Sequence, residues 1–301
     1  MPIEPPKYKE PNALPVLPKL LQFDREKYTV DRASFRQALF GACHNVAYSR
    51  PLAWDFCYKH FFDNQDEYLS GQPSQELLNQ GALELASYLG AFGMYRNVKT
   101  ASVNRQIYVI VLKRLFEKVH ELGIQHFSQN TVFNEYELKA LIATVHDAFD
   151  EAYREAEYTQ LGTDTRSDEE TKAETFFAEA SGTLVTKVLL GTLAALPAFD
   201  RNFHTLAVEI NHYQKSKFPS KIDIKTSEEK STPPQIKQTL EPLLAVAKDP
   251  EVQAYLRNFV EPYFADANIL KIDYPLMRLL DLHFWTVGAV IEMQKKRSKK
   301  S

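Results

Sequence analysis

Residues 74–92 read SQELLNQGALELASYLGAF, and this run decides the fold class. Leu78, Ala82, Leu85, Leu89 and Phe92 recur at alternating steps of four and three, which draws one apolar stripe down a helix. Segments on either side follow the same rule. A helix over 32–48 opens behind Asp31 as N-cap and carries Phe35, Leu39 and Phe40, and another covers 52–62. Residues 104–122 place Tyr108, Val111, Leu112, Leu115, Val119 and Leu122 on one face, with Gly123 as the stop. Residues 134–157 repeat the pattern through Leu138, Leu141, Ile142, Val145, Phe149 and Ala152. No convincing strand alternation is present.

A polar stretch at 159–171 interrupts the helices. Further helices are expected over 172–196, 199–215, 235–247, 250–264 and 274–296. The expected fold is all-α, a single large multi-helix bundle of about ten helices with no repeat of fixed period. The expected organisation is a Pro-rich arm over 1–30, a helical domain over 31–294 and a basic tail over 295–301. Within the domain, 216–234 is rich in Lys, Ser, Thr and Pro and reads as an internal linker. Whether the last three helices form a separate domain is open to sequence reasoning. The run from Tyr274 is apolar nearly all round, as a helix threading the main bundle would be.

The chain has 301 residues, 44% hydrophobic and 25% charged, with a formal charge of −3. That composition belongs to a soluble globular protein and gives no generally basic surface for nucleic acid. Only 10 glycines occur, and none builds the spacing of a Rossmann or P-loop phosphate cradle. Cys43 and Cys57 are expected as buried thiols, since two cysteines without a C-x-x-C pair make neither a disulfide framework nor a zinc site. His44 adjoins Cys43, but neighbouring helical residues diverge by about 100°, so the two do not face each other. Prolines at 2, 5, 6, 11, 15 and 18 break the N-terminal region, which reads as an extended arm and not as a secretory leader. Of two apolar stretches, 182–199 carries Lys187 and Pro197, and 274–293 carries Arg278, Asp281, His283 and Glu292. A charge at a span centre costs about 2.5–3.5 kcal/mol, so both read as buried helices, with no membrane contact and a cytoplasmic location.

Charge is also patterned locally. Residues 150–179 hold ten acidic side chains against three basic, and 295–300 hold five positive charges. The plain reading is a solvated acidic loop and a disordered basic tail. The alternative makes the tail a contact for phosphate or an acidic partner, without sequence-specific nucleic-acid binding. Gly90 and Gly93 read as a helix end, with Arg96 just beyond turned to water.

The richest stretch for chemistry is TLVTKVLLGTLAALPAFDRNFH at 183–204. Pro197 forces a corner, and Asp200, Arg201 and Asn202 then fall in the first turn of the next helix. Free N–H groups, the helix dipole and Arg201 suit an anion there. The same residues equally read as a capping Asp200 and a locally paired Arg201. A second group is Lys187 with Arg278 and Asp281, the latter two at i, i+3 on one face. Charges in apolar helices must pair or face a polar pocket, which leaves an internal ion-pair network or a ligand pocket. A third is His146-Asp147 on a helix, the pattern by which helical HD-type phosphohydrolases hold metal. On that reading His120 or His126 is the first ligand and Asp200 the last. No H-E-x-x-H or G-x-S-x-G run is present.

Around the Pro197 corner the chain resembles the Fic family of AMP-transferring enzymes, whose hallmark reads H-[PF]-F-x-[DE]-[GA]-N-G-R. Pro197, Asp200 and Asn202 coincide with permitted residues, whereas Leu196 takes the place of the catalytic histidine, Arg201 that of the small residue, and Phe203-His204 that of Gly-Arg. Without the histidine no side chain there removes the proton from a target hydroxyl. The runs GTLAALPAFDR at 191–201 and MRLLDLHFW at 277–285 also resemble uncharacterised bacterial helical proteins, which implies a bacterial cytosolic origin. Two functions are therefore expected of the sequence. The first is a non-catalytic binding or regulatory protein acting on a protein partner. The second is an enzyme or sensor for a nucleotide or other phosphate-bearing small molecule, with Asp200, Arg201 and Asn202 at the mouth of its pocket and Lys187, Arg278 and Asp281 as its floor. No cofactor is specified.

Overall fold

The computed structural model describes residues 16–31, 33–34, 37–38, 50–94, 106–161, 180–225, 235–264 and 270–299. The periodic runs fold as helices: α1 (Arg50–Asp63), α2 (Gln65–Leu69), α3 (Gln75–Ala91), α4 (Gln106–Glu121), α5 (Glu135–Leu161), α6 (Gly182–Leu193), α7 (Arg201–Gln214), α8 (Glu241–Lys248), α9 (Pro250–Tyr255), α10 (Glu261–Phe264) and α11 (Leu276–Ser298). The molecule is an all-α helical bundle. One short antiparallel ladder, β1 (Ile224–Lys225) with β2 (Gln235–Ile236), sits outside the helices. Among the described residues no helix is long and apolar enough to cross a membrane.

Local chemistry sets the helix starts. Ser74 accepts from the Leu77 N–H to open α3, and Ser181 accepts from Leu184 to open α6. Asn134 and Glu137 exchange reciprocal bonds of 3.0 and 2.8 Å, a capping box at the start of α5. The stripe of α3 buries Leu77, Leu78, Ala82, Leu85 and Leu89. It packs on α4 and α1, α4 lies along α5, and α1 rests on α6. One hydrophobic core runs through the whole arrangement, from Leu17 to Ile291.

Beside it, α7 and α11 run parallel. Phe203 stacks on Phe284 at 4.5 Å, Thr205 bonds Glu292, and Glu209 pairs with Lys295, so both numberings rise together. Gly288 is required for this approach: a Cβ there would lie 2.0 Å from the Asn202 carbonyl oxygen. Both α6 and α11 are buried on almost every face, as their all-round apolar sequences demand.

Several boundaries differ from those expected. The helix expected to reach 196 stops at Leu193, where Ala194 turns left-handed at φ 46°. Its last carbonyls lack partners inside the helix, and α1 supplies two: Trp54 Nε1 donates to Leu190 O at 2.9 Å, and Cys57 Sγ to Gly191 O at 3.4 Å. The expected helix over 235–247 begins only at Glu241, because Gln235 and Ile236 pair with Lys225 and Ile224. The helix over 250–264 is interrupted by a π turn at Leu256–Val260, just ahead of Pro262, which has no N–H to give.

Residues 16–30 wrap onto the core through Leu17, Leu21, Phe23, Tyr28 and Val30. The first part of the expected linker folds back on α7, with Asn211 bonding both peptide groups of the now buried Phe218. The basic tail departs from the disordered expectation as well. Helix α11 continues to Ser298, since Lys295 bonds Glu209 at 2.9 Å and cations suit a helix C-terminus. The Pro-rich residues 1–15, most of the expected helix over 32–48 with Cys43 and His44, Arg96, and residues 162–179 and 226–234 lie outside the described residues.

Replacing Gly288 by Ala forces a methyl group into a backbone carbonyl, which has little room to yield. Urea unfolding of Gly288→Ala is expected to show a loss of about 3 kcal/mol, the upper range for overpacking. A loss below about 0.5 kcal/mol, the scale of a surface substitution, would show that the α7–α11 contact is not tight.

Candidate functional site

The corner between α6 and α7 is buried, so its peptide groups need partners other than water. Side chains provide them. Thr186 Oγ1 accepts from the Phe199 N–H at 3.0 Å, and Thr183 Oγ1 donates to Phe199 O at 2.8 Å. Asp281 Oδ1 accepts from the Ala198 N–H at 2.9 Å, reaching across from α11. Asp200 Oδ1 takes the N–H groups of Asn202 and Phe203 at 3.0 and 3.1 Å, which caps α7.

Charged groups gather behind this corner. Arg278 Nη1 donates to Asp281 Oδ2 at 2.7 Å, with both residues buried. The Arg278 guanidinium lies 4.5 Å over the Trp54 ring, and Lys187 Nζ lies 4.3 Å over Phe92. Lys187 reaches Asp200 Oδ2 at a long 3.5 Å. On the far side Asp55, wholly buried on α1, accepts from the Tyr274 hydroxyl at 3.1 Å. Gly191 admits the ring of Tyr88, since a Cβ there would lie 2.7 Å from Tyr88 Cε1.

This group is not internally complete. Arg278 Nε and Nη2, Asp55 Oδ1 and the Tyr88 hydroxyl are buried and have no hydrogen-bond partner. Each such atom costs about 1–3 kcal/mol, more for a charged group, so four in one region is a large local expense. The electrostatics agree. Burial lifts the Asp55 carboxyl to about 6, against the opposing pull of Arg278 and the Tyr274 hydrogen bond. Burial also pushes Asp281 upward, with Arg278 and Lys187 pulling back, and it drives the Tyr88 phenol well above its ordinary value.

Of the residues singled out in the sequence, Lys187, Arg278, Asp281 and Asp200 share this interior region. Arg201 does not. Its side chain is 71% exposed and pairs with Glu292 at 2.7 Å. Asn202 contributes its peptide N–H to the Asp200 cap, and its carbonyl oxygen lies where a Cβ on Gly288 would be. The free N–H groups that would attract an anion at the start of α7 are thus partly occupied by Asp200.

Sequence reasoning did not find Asp55, Trp54, Tyr88 or Tyr274. One signal was present, an acid between two aromatics in the apolar run Leu52-Ala-Trp-Asp-Phe56, where a charge has to be accounted for.

The HD-type ligands do not assemble. His146 Nδ1 lies 3.6 Å from Asp147 and 3.9 Å from Asp150 on α5, and these three offer ligand atoms within 4.8 Å of one another. His120 instead contacts Leu69 O, His126 is exposed, and Asp200 belongs to the corner. The histidine of α11, His283, faces Tyr255 at 3.4 Å and is driven to about 3 by burial, so it is neutral. Cys57 is a buried thiol raised by desolvation and tied to Gly191 O.

No protein-family model, no curated protein and no solved structure matches this chain. Its chemistry has to be read from its own residues.

Asp55 gives a direct check on the electrostatics. Its folded value near 6 lies above its ordinary 3.8, so the fold prefers the protonated acid. The cost of ionising it is absent below pH 3.8, grows as pH rises through that window, and is complete above about 6. Thermal melts of Asp55→Asn should therefore gain on the parent by about 3 kcal/mol between about pH 3 and pH 7, from the rise of 3.8 to about 6 at 1.36 kcal/mol per pH unit. A stability difference that does not change with pH would mean Asp55 titrates normally.

Proposed function

We propose that this chain is a non-catalytic binding or regulatory protein of the bacterial cytoplasm, and that its ligand is a small anion-bearing molecule held against Arg278. The observation that carries this is the free side-on edge of Arg278. The residue is 1% exposed, its Nη1 is engaged by Asp281, and its Nε and Nη2 are left without a partner beside the equally unsatisfied Asp55 Oδ1 and Tyr88 hydroxyl. Those two donors form a fork suited to two anionic oxygens. Convergent buried polar groups with perturbed titration mark binding and active sites in general.

The binding reading is preferred over a catalytic one because no nucleophile–base pair faces the cluster among the described residues. Cys57 is inert, and His283 and His204 bond elsewhere, to Tyr255 and to Ser220 O. Leu196, at the position of the Fic histidine, is wholly buried. The bacterial and cytoplasmic assignment rests on the resemblance of 191–201 and 277–285 to bacterial helical proteins and on the buried free thiol of Cys57.

A thermal-shift series tests this with formate and acetate on one side, and nucleotides with and without Mg²⁺ on the other. Small anions are expected to raise the midpoint and nucleotides to leave it unchanged. At a hundred times its dissociation constant a ligand stabilises by about 2.7 kcal/mol, which is readily seen. A nucleotide shift abolished by Arg201→Ala would instead move the site to the start of α7 and restore the phosphate-handling reading. With the chain refolded from urea in the presence of each compound, no shift with any of them would remove the interior site.

A further inference from the structure

The unsatisfied atoms in the interior are of two opposite kinds. Arg278 Nε and Nη2 are cationic donors and require an anion, while Asp55 Oδ1 is an anionic acceptor and requires a donor. The Tyr88 hydroxyl can serve either. The remaining charges of the region are already matched: Lys187 with Asp200, and Asp281 with one nitrogen of Arg278 together with the Ala198 N–H. Among the described residues Asp55 is the one carboxylate of the group without a salt bridge: its hydrogen-bond partner is the neutral Tyr274 hydroxyl, and the charge of Arg278 acts on it only from beyond ion-pair distance.

A dianion such as phosphate would add two negative charges to a region that already holds Asp55, Asp200 and Asp281 against Lys187 and Arg278. A lone monoanion would satisfy Arg278 and leave Asp55 unpaired. A zwitterion answers both ends with no change in net charge. The walls narrow the choice further. Trp54 underlies the guanidinium, Tyr274 meets Trp54 at 5.9 Å, and Tyr88 closes down on Gly191, and this close aromatic packing excludes a bulky ligand.

We propose that the interior site binds a free α-amino acid, its carboxylate on the side-on edge of Arg278 with help from the Tyr88 hydroxyl, and its ammonium on Asp55 Oδ1. This rests on the reading of the Arg278 region as a binding site and names the ligand class of that site. Trp54 and Tyr274 form the apolar wall beside the Cα substituent and favour a small side chain. None of the four polar atoms is open to solvent, so entry requires a local opening of the bundle and binding is slow to equilibrate.

The experiment is a thermal-shift series on the full chain, refolded from urea in the presence of each compound so that entry does not limit the result. The probes are glycine, alanine, serine, leucine and tryptophan. Acetate and methylamine serve as the two halves of the zwitterion, and inorganic phosphate as the dianion. Small amino acids at saturating concentration should raise the midpoint by about 5 °C, with acetate weaker and methylamine and phosphate without effect. Asp55→Asn should reduce the amino-acid shift to that of acetate, and Tyr88→Phe should lower affinity for both. The Asp55→Asn change is nearly isosteric and removes a buried charge, so failure to fold does not obscure the answer.

If acetate or phosphate raises the midpoint as far as any amino acid, or if Asp55→Asn leaves the amino-acid preference intact, the proposal is overturned while the anion site stands. If no compound moves the midpoint, both the proposal and the binding site beneath it fail.

Discussion

The ion pair between Arg278 and Asp281 is the constraint from which the rest of the interior follows. It is short at 2.7 Å and buried, and it lies within a single turn of α11. Taking either partner away would leave an uncompensated charge in the core, at a cost of about 3–5 kcal/mol. Each member also has a second duty. Asp281 spends its other oxygen on the Ala198 N–H and so fixes the corner between α6 and α7. Arg278 covers the Trp54 ring, and Trp54 in turn satisfies Leu190 O at the end of α6. Through these two side chains α11 determines where α6 may stop and where α7 must start.

That corner shows how a buried turn becomes tolerable. The peptide N–H groups just after Pro197 find side-chain acceptors, and the acceptors come from α6 and α11 as well as from the corner itself. The left-handed Ala194 is the visible strain, because a residue with a Cβ disfavours that conformation by about 1–2 kcal/mol. The surrounding bonds hold it in place. Glycines act where helices must touch: Gly288 lets α11 meet the Asn202 carbonyl, and Gly191 lets Tyr88 reach the polar region.

Against this background of satisfied groups the unsatisfied ones stand out. Over most of the bundle the rules of capping, patterning and burial agree with one another, and the region around Arg278, Asp55 and Tyr88 is where they are most densely broken. Natural sequences tend to break such rules where function requires it. A wholly apolar replacement of similar volume would usually be as stable or more so. Stability alone therefore does not account for two cations and three carboxylates behind one corner, and the proposed ligand site rests on that imbalance.

The sequence by itself determined the fold class, most helix positions and the burial of α6 and α11. All of these follow from apolar spacing along a single helix, which is local information. It also brought Lys187, Arg278 and Asp281 together in thought, because a charge in an apolar helix must find company, and that argument needs no coordinates. Tertiary structure alone decided which company. Asp55 lies more than two hundred residues from Arg278 in sequence, and nothing in the spacing of either predicts that α1 meets α11. It also decided that Arg201 turns outward to Glu292 while its neighbour Asp200 turns inward to Lys187. The direction of a side chain at a helix start depends on which element packs against that turn. The end of α6 was settled in the same way, by donors on α1, since a helix stops where its last carbonyls can be satisfied and those partners come from elsewhere in the chain.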